Sequence, residues 1–382
     1  MSSENLEQEN ETHDLDPYEK IIQNMREYPN DLPLVNGEVS KAFKDYIKLL
    51  FTPEEAQIAQ YLGIRPLSVY TISKRIGKSR KETKAILKEM ADQGIIQDIG
   101  GYSYFLTMAH LLNIGFKYSK ALDRLGKKGA ELYQQFFIKE KYYKRYESSD
   151  AGTSLMRVIP INKSIDQNSK ILNVEEIHHI IDDCQEPIVI TDCPCRNRTE
   201  ILGTRECKDK FPIEETCFQL GAFGRYFLDR GEGVELTREE AHKKVEEIAE
   251  LGLIFTTENV KQHNHQVLCC CCPCCCSLLR GITRFEDKNE DCVAKSNYIS
   301  KVDQELCKGC GNCEKRCVFN AITISDGKAK VDTSKCYGCG SCAIKCPTNA
   351  IKLHKKEHNK IFDNFMVLMN TIYEENRANK NQ

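Results

Sequence analysis

Residues 301–324, KVDQELCKGCGNCEKRCVFNAITI, return as residues 330–353, KVDTSKCYGCGSCAIKCPTNAIKL, with 12 of 24 positions identical. Cys307, Cys310, Cys313 and Cys317 recur as Cys336, Cys339, Cys342 and Cys346 at a constant offset of 29 residues. The flanks repeat as well: Lys301-Val302-Asp303 as Lys330-Val331-Asp332, and Asn320-Ala321-Ile322 as Asn349-Ala350-Ile351. Each ladder puts three thiols at i, i+3 and i+6 of one tight loop, where they can converge on a common point. The fourth thiol lies beyond the loop. Gly309 and Gly311, matched by Gly338 and Gly340, allow positive φ and let backbone N–H groups approach the sulfurs.

Two C-x2-C-x2-C-x3-C ladders supply the ligand spacing of two [4Fe–4S] clusters, whose iron corners each take a thiolate. The segment resembles bacterial-type two-cluster ferredoxins. That resemblance implies a βαββαβ fold over residues 296–354, two clusters and work in electron transfer. It also implies crossed ligation: Cys307, Cys310 and Cys313 with Cys346, and Cys336, Cys339 and Cys342 with Cys317. Pro347 follows the last cysteine of the second ladder, whereas Val318 takes that place in the first. Zinc ribbons would call for two C-x2-C pairs separated by a longer insert, and a disulfide framework suits secreted chains.

The chain has 382 residues, 41% of them hydrophobic, with a formal net charge of −2 and 21 cysteines. That length predicts two to four domains. The expected division is an acidic, disordered tail over 1–16, a helical winged-helix domain over 17–146, a Cys-rich metal or cluster domain over 147–295, the ferredoxin domain over 296–354 and an amphipathic helix over 355–382. The expected class is α+β multidomain: a winged helix-turn-helix, a Cys-rich α/β middle domain and the βαββαβ module. Apolar runs such as 106–116 fall short of a membrane span. The opening residues carry no basic region followed by an apolar run. So many cysteines in such a chain predict a reducing compartment, the cytoplasm.

Residues 48–106 resemble winged-helix regulators in pattern. Thr52-Pro53-Glu54-Glu55 and Ser79-Arg80-Lys81-Glu82 both read as helix-opening capping boxes. Ser68 to Ile76 reads as a helix ended by Gly77, and Gly100-Gly101 joins two short strands as a hairpin turn. Lys74, Arg75, Lys78, Arg80, Lys81, Lys84 and Lys88 face one acid, Glu82, between positions 74 and 88. Arg80, Lys81, Lys84 and Lys88 are therefore candidate phosphate contacts on a recognition helix. The competing reading is a solvated helix face on a module that docks a partner or a second copy of the chain. Residues 117–146 read as continuing helix whose aromatics, Tyr133 to Tyr146, are core contacts between helices.

In the middle region, Arg157 to Ile161 reads as a strand, and Asn173 to Glu176 as the cap of the helix that follows. Ile188 to Thr191 reads as a strand delivering Asp192-Cys193-Pro194-Cys195-Arg196 on a loop. Thr237-Arg238-Glu239-Glu240 caps an amphipathic helix. Cys269 to Cys272 and Cys274 to Cys276 then place seven thiols in eight positions. A core strand has no need of a thiol on both faces, whereas adjacent thiols bind soft metals or clusters. The candidate metal ligands are Cys193, Cys195, Cys207, Cys217, Cys269, Cys270, Cys271, Cys272, Cys274, Cys275 and Cys276. They are expected to hold at least one additional iron–sulfur cluster, with structural zinc or a redox dithiol as alternatives. Cys184 and Cys292 are expected to be unliganded. His263 and His265 are read as hydrated loop residues, and Arg196 as either a hydrogen-bond donor to a cluster or one half of a surface ion pair. Residues 155–350 resemble 4Fe–4S binding protein sequences of anaerobic bacteria and archaea.

The sequence shows no Gly-x-Gly-x-x-Gly, no phosphate-binding loop, no nucleophile triad and no paired-carboxylate signature. The leading expectation is thus a multi-cluster electron-transfer protein, or an oxidoreductase subunit rather than a stand-alone enzyme, that meets a redox partner protein. The alternative is a redox- or iron-responsive regulator that binds DNA. Residues 361–373 predict a helix that packs back on the domain or docks a partner helix, the first reading being favoured.

Overall fold

Three capping boxes, read from Thr52, Ser79 and Thr237, each close reciprocally on a glutamate three residues later and open the helices Pro53–Ala59, Arg80–Asp92 and Arg238–Leu251. Gly77 and Gly252 end helices in the left-handed conformation. These elements belong to a computed structural model that describes residues 15–27, 32–166, 176–261, 265–356 and 360–378. The expected acidic tail, apart from Leu15 and Asp16, and the proposed cap residues Asn173, Val174 and Glu175 lie outside the described residues. The chain divides into two compact units, residues 1–142 with 197–203, and residues 143–196 with 204–382.

The first unit contains a short hairpin, β1 (Leu34–Val35) and β2 (Glu38–Val39), and then the helices Lys41–Leu50 and Pro53–Ala59. There follow β3 (Leu67–Ser68), the helices Val69–Ile76 and Arg80–Asp92, β4 (Gln97–Ile99) and β5 (Ser103–Phe105). The three strands pair in the order β3-β5-β4, with Gly100 and Gly101 at positive φ in the turn between the last two. The stretch read as continuous helix over 117–146 is interrupted. Gly126 leaves helical geometry at φ 45° and ψ −149°, and Gln134–Lys139 widens into a π-type turn. Its aromatics are core residues as expected: Tyr133, Phe136, Phe137, Tyr142, Tyr143 and Tyr146 are buried, and Tyr133 stacks on Phe137.

The second unit is built on a six-stranded sheet of β6 (Met156–Ile159), β7 (Ile188–Thr191), β8 (Cys217–Leu220), β9 (Val234–Leu236), β10 (Ile254–Glu258) and β11 (Val267–Cys271), ordered β6-β10-β11-β8-β7-β9. Every pairing in it is antiparallel. This corrects the expected α/β middle domain, because hairpin-type returns, not parallel crossovers, connect neighbours such as β10 and β11. One face carries Ile188, Ile190, Phe218, Leu220, Phe255 and Leu268, packed against Ile177, Ile180 and Ile181 of helix Ile177–Asp183 and Val245 and Ile248 of helix Arg238–Leu251. Cys270 and Cys272 fall on that same face by strand alternation.

Beyond the sheet come β12 (Tyr298–Val302), helix Asn312–Arg316, β13 (Ile322–Ser325), β14 (Lys328–Val331), helix Ser341–Ile344 and β15 (Ile351–Lys355). The order is β-α-β-β-α-β, with β12 paired to β15 and β13 to β14, both antiparallel. Arg316 ties this module to the sheet region by donating to the carbonyls of Ala249 at 2.8 Å and Glu250 at 3.1 Å, at the negative end of helix Arg238–Leu251. The last helix, Phe365–Ala378, buries Leu368, Met369 and Ile372. No helix among the described residues is long and apolar enough to cross a membrane.

Candidate metal centres

The two ladders enclose two cavities. Cys307, Cys310, Cys313 and Cys346 line the first. Cys317, Cys336, Cys339 and Cys342 line the second. Each cavity thus gathers three thiols from one ladder and one from the other. All eleven residues around the second cavity have their partner at the 29-residue offset around the first. The loops are held by glycines whose conformation side chains resist: a Cβ on Gly309, at φ +62°, would sit 2.1 Å from the Gly327 carbonyl oxygen. Backbone N–H groups of Ala321 and Ala329 donate to the sulfurs of Cys317 at 3.2 Å and Cys307 at 3.4 Å. A thiol-lined hollow with N–H groups aimed at the sulfurs suits a cubane cluster, whose thiolates need charge-stabilising donors.

The cavities differ in what covers them. Around the second, Phe319 stacks on Tyr337 with ring centroids 4.3 Å apart, and Ser300 Oγ lies 3.3 Å from Cys342 Sγ and 3.8 Å from Cys336 Sγ. Around the first, the equivalent positions are Thr348, Lys308 and Ala329. Cys310 is exposed, while Cys339 is half-buried. Burial raises the Cys342 thiol to about 12 and lifts Cys339 and Cys317 as well. Cys346 is lowered, because N–H groups of Ile351, Thr348 and Ala350 outweigh its burial. The sequence reading passed over Ser300, Phe319 and Tyr337. The signal was available in the positions where the two repeats disagree.

The eleven candidate thiols of the sheet region separate into distinct sets. Cys207, from the loop before β8, meets Cys272, Cys274 and Cys275 in the turn after β11, and the four sulfurs all lie within 4.8 Å of one another. They are 7%, 1%, 9% and 0% exposed. Hydrogen bonds from Cys207, Cys274 and Cys275, and then Arg196, push the Cys272 thiol below its ordinary value against its burial. Cys207 and Cys274 are raised, first by their hydrogen bonds to Cys272 and then by burial.

On the other face of β11, hydrogen bonds link Cys193 to Cys195, Cys195 to Cys276, Cys276 to Cys271 and Cys271 to Cys269. Cys217 stands opposite Cys269 in the ladder and beside Cys193. These contacts join the six thiols into one set. Cys270 joins neither set; it packs into the sheet core. All 21 cysteines are free of disulfides.

Arg196 forms no surface pair. Its loop is instead the first turn of helix Pro194–Ile201, which puts the guanidinium, 0% exposed, between the two thiol sets. It donates to the Cys270 carbonyl at 3.1 Å and to Thr216 Oγ1. Burial opposes its charge, but the sulfurs of Cys193, Cys272 and Cys270 outweigh that and hold it above its ordinary value. His265 is no hydrated loop residue: it is 4% exposed, with Thr257 Oγ1 at 3.2 Å and Glu258 at 3.5 Å. His263 lies outside the described residues. Cys184 and Cys292 are buried and donate to the carbonyls of Ile181 at 3.2 Å and Leu278 at 2.8 Å.

The basic helix residues are exposed, and three of the four have partners. Lys88 pairs with Asp92, Arg80 stacks over Tyr70 with its guanidinium carbon 4.3 Å from the ring centroid, and Lys84 lies 5.0 Å from the Tyr102 ring. Lys81 is exposed on the same helix. The DNA-binding alternative gains no support from this arrangement.

Residues 300–323 and 329–352 match the 4Fe–4S binding domain family. No significant match to the chain is found among curated proteins or among solved structures. The matched segments coincide with the two ladders, so the chain carries a 4Fe–4S binding domain, and its thiol sets support iron–sulfur binding and a general role in electron transfer.

Proposed function

We propose that this chain is an electron-transfer protein of the cytoplasm that holds two [4Fe–4S] clusters in the 298–355 module and exchanges electrons with a partner oxidoreductase. The observation that carries the reading is the pair of equivalent cavities, each lined by four thiols drawn crosswise from the two ladders. In this reading Cys307, Cys310, Cys313 and Cys346 hold one cluster, and Cys317, Cys336, Cys339 and Cys342 the other. When bound, the clusters supply one-electron redox chemistry without proton transfer. The protein's part is to set separation, exposure and potential. Exposed Cys310 marks the face a partner meets. Phe319 and Tyr337 exclude water from the second cavity, and Ile344, on the helix that carries Cys342, packs against the sheet core. That contact supports a route from the exposed face inward to the sheet region.

A further cluster belongs, in the same reading, to the set of Cys193, Cys195, Cys217, Cys269, Cys271 and Cys276, where Arg196 offsets thiolate charge. Iron and acid-labile sulfide in the anaerobically purified chain test both parts, with EPR of the reduced form. About twelve of each fits three clusters, and about eight of each removes the third. Fewer than eight with no coupled signal would end the two-cluster reading.

A further inference from the structure

Four sulfurs report what they can hold through their spacing. An ion bonded tetrahedrally at about 2.3 Å sets its thiolates about 3.8 Å apart. A cubane sets its cysteine sulfurs about 6 Å apart, because the iron and sulfide core stands between them. The Cys207–Cys275 separation is 3.6 Å, Cys274–Cys275 3.7 Å and Cys207–Cys272 4.0 Å. These three of the six edges match a single-ion tetrahedron, the other three lie within 4.8 Å, and a cubane core has no room among them.

We infer that Cys207, Cys272, Cys274 and Cys275 bind one tetrahedral divalent metal ion, with zinc favoured, as a closed clip separate from the cluster sites. The four thiols are almost wholly buried and would fill all four coordination positions, leaving none open for a substrate. Four thiolates around a divalent ion carry a net charge of −2, and buried Arg196 stands against Cys272 to offset it. The clip joins the loop before β8 to the turn after β11, positions 65 residues apart along the chain for Cys207 and Cys272. Closing so long a loop is where a metal bridge does most for the folded state. A disulfide does not fit as well, since a bonded pair would leave two buried thiols without a ligand. The inference goes beyond the electron-transfer reading and does not depend on it.

Metal and sulfide analysis of the full chain, combined with X-ray absorption at the zinc edge, tests the clip. The expected result is one metal ion per chain in excess of sulfide, with four sulfurs at about 2.3 Å and no metal neighbour. If the excess ion is iron, a mononuclear tetrahedral iron signal in Mössbauer spectra supports the same site. The C207S/C274S variant should lose that ion and keep the wild-type iron and sulfide, while C184A keeps both. Loss of about four irons and four sulfides in C207S/C274S would overturn the inference in favour of a cluster. No excess ion in the wild-type chain, or a disulfide among the four residues, would overturn it outright, and the wild-type measurement decides even if the variant does not fold.

Discussion

The thiols of the duplicated module line two hollows, whereas those of Cys207, Cys272, Cys274 and Cys275 all lie within 4.8 Å of one another, at 3.6 to 4.0 Å for the pairs Cys207–Cys275, Cys274–Cys275 and Cys207–Cys272. Both sites are built from four cysteines, buried in the sheet region and partly exposed in the module, where Cys310 is exposed. The difference is the room between the sulfurs, and it separates a site shaped for an inorganic core from a site shaped for one ion. Cysteine count alone cannot make that distinction, because ligand type sets affinity for soft metals while spacing sets nuclearity.

The comparison breaks most readily at the four touching thiols. Structural zinc sites contribute about 10 kcal/mol or more to folding in small domains, so C207S/C274S should lower the thermal transition of the second unit by about 10 °C or more. Calorimetry on the holo-protein reads this directly, and an unchanged transition would reduce the four to passive core thiols. At the hollows the expected effect is compositional. C317S, although it lies in the first ladder, should cost about four irons from the site of the second ladder, and C346S should do the reverse. Site-resolved EPR of the remaining cluster distinguishes crossed from uncrossed ligation.

Smaller effects sharpen the comparison between the two hollows. G309A meets the Gly327 carbonyl as well as an unfavourable φ, and should cost about 3 kcal/mol and cluster occupancy in the first site. G311A, at φ +79° with nothing within 4 Å of the added Cβ, should cost about 1 kcal/mol and keep the cluster. Chemical denaturation and iron content check the pair. The finest effect concerns potential: S300A removes a hydroxyl beside Cys342 and should lower the potential of the second site, and A329S should raise that of the first. Redox titration monitored by EPR would contradict the account if both variants moved the same site.

Much of this was legible in the residues. The 29-residue offset carried the cavity linings, because equal spacing around equal glycines gives equal loops. The capping boxes at Thr52, Ser79 and Thr237 fixed three helix starts, because the signal is local and reciprocal. The partition of the eleven sheet-region thiols was not legible. Alternation along β11 puts Cys270 and Cys272 on one face and Cys269 and Cys271 on the other, but which distant loop reaches each face depends on how β8 and β11 pair. For Arg196 the residues left a cluster donor and a surface pair both open, and burial removes only the second, because Pro194 starts a helix just after the strand and turns the arginine inward. The sheet class was missed because periodicity identifies strands but not their direction.

The most direct measurement is a count of iron, acid-labile sulfide and zinc in one anaerobic sample of the full chain. The account predicts iron and sulfide in equal number at about twelve each, with one further metal ion per chain that has no sulfide partner. Eight of each with that further ion would remove the third cluster and leave the comparison standing. Fewer than eight, or no ion in excess of sulfide, would contradict it.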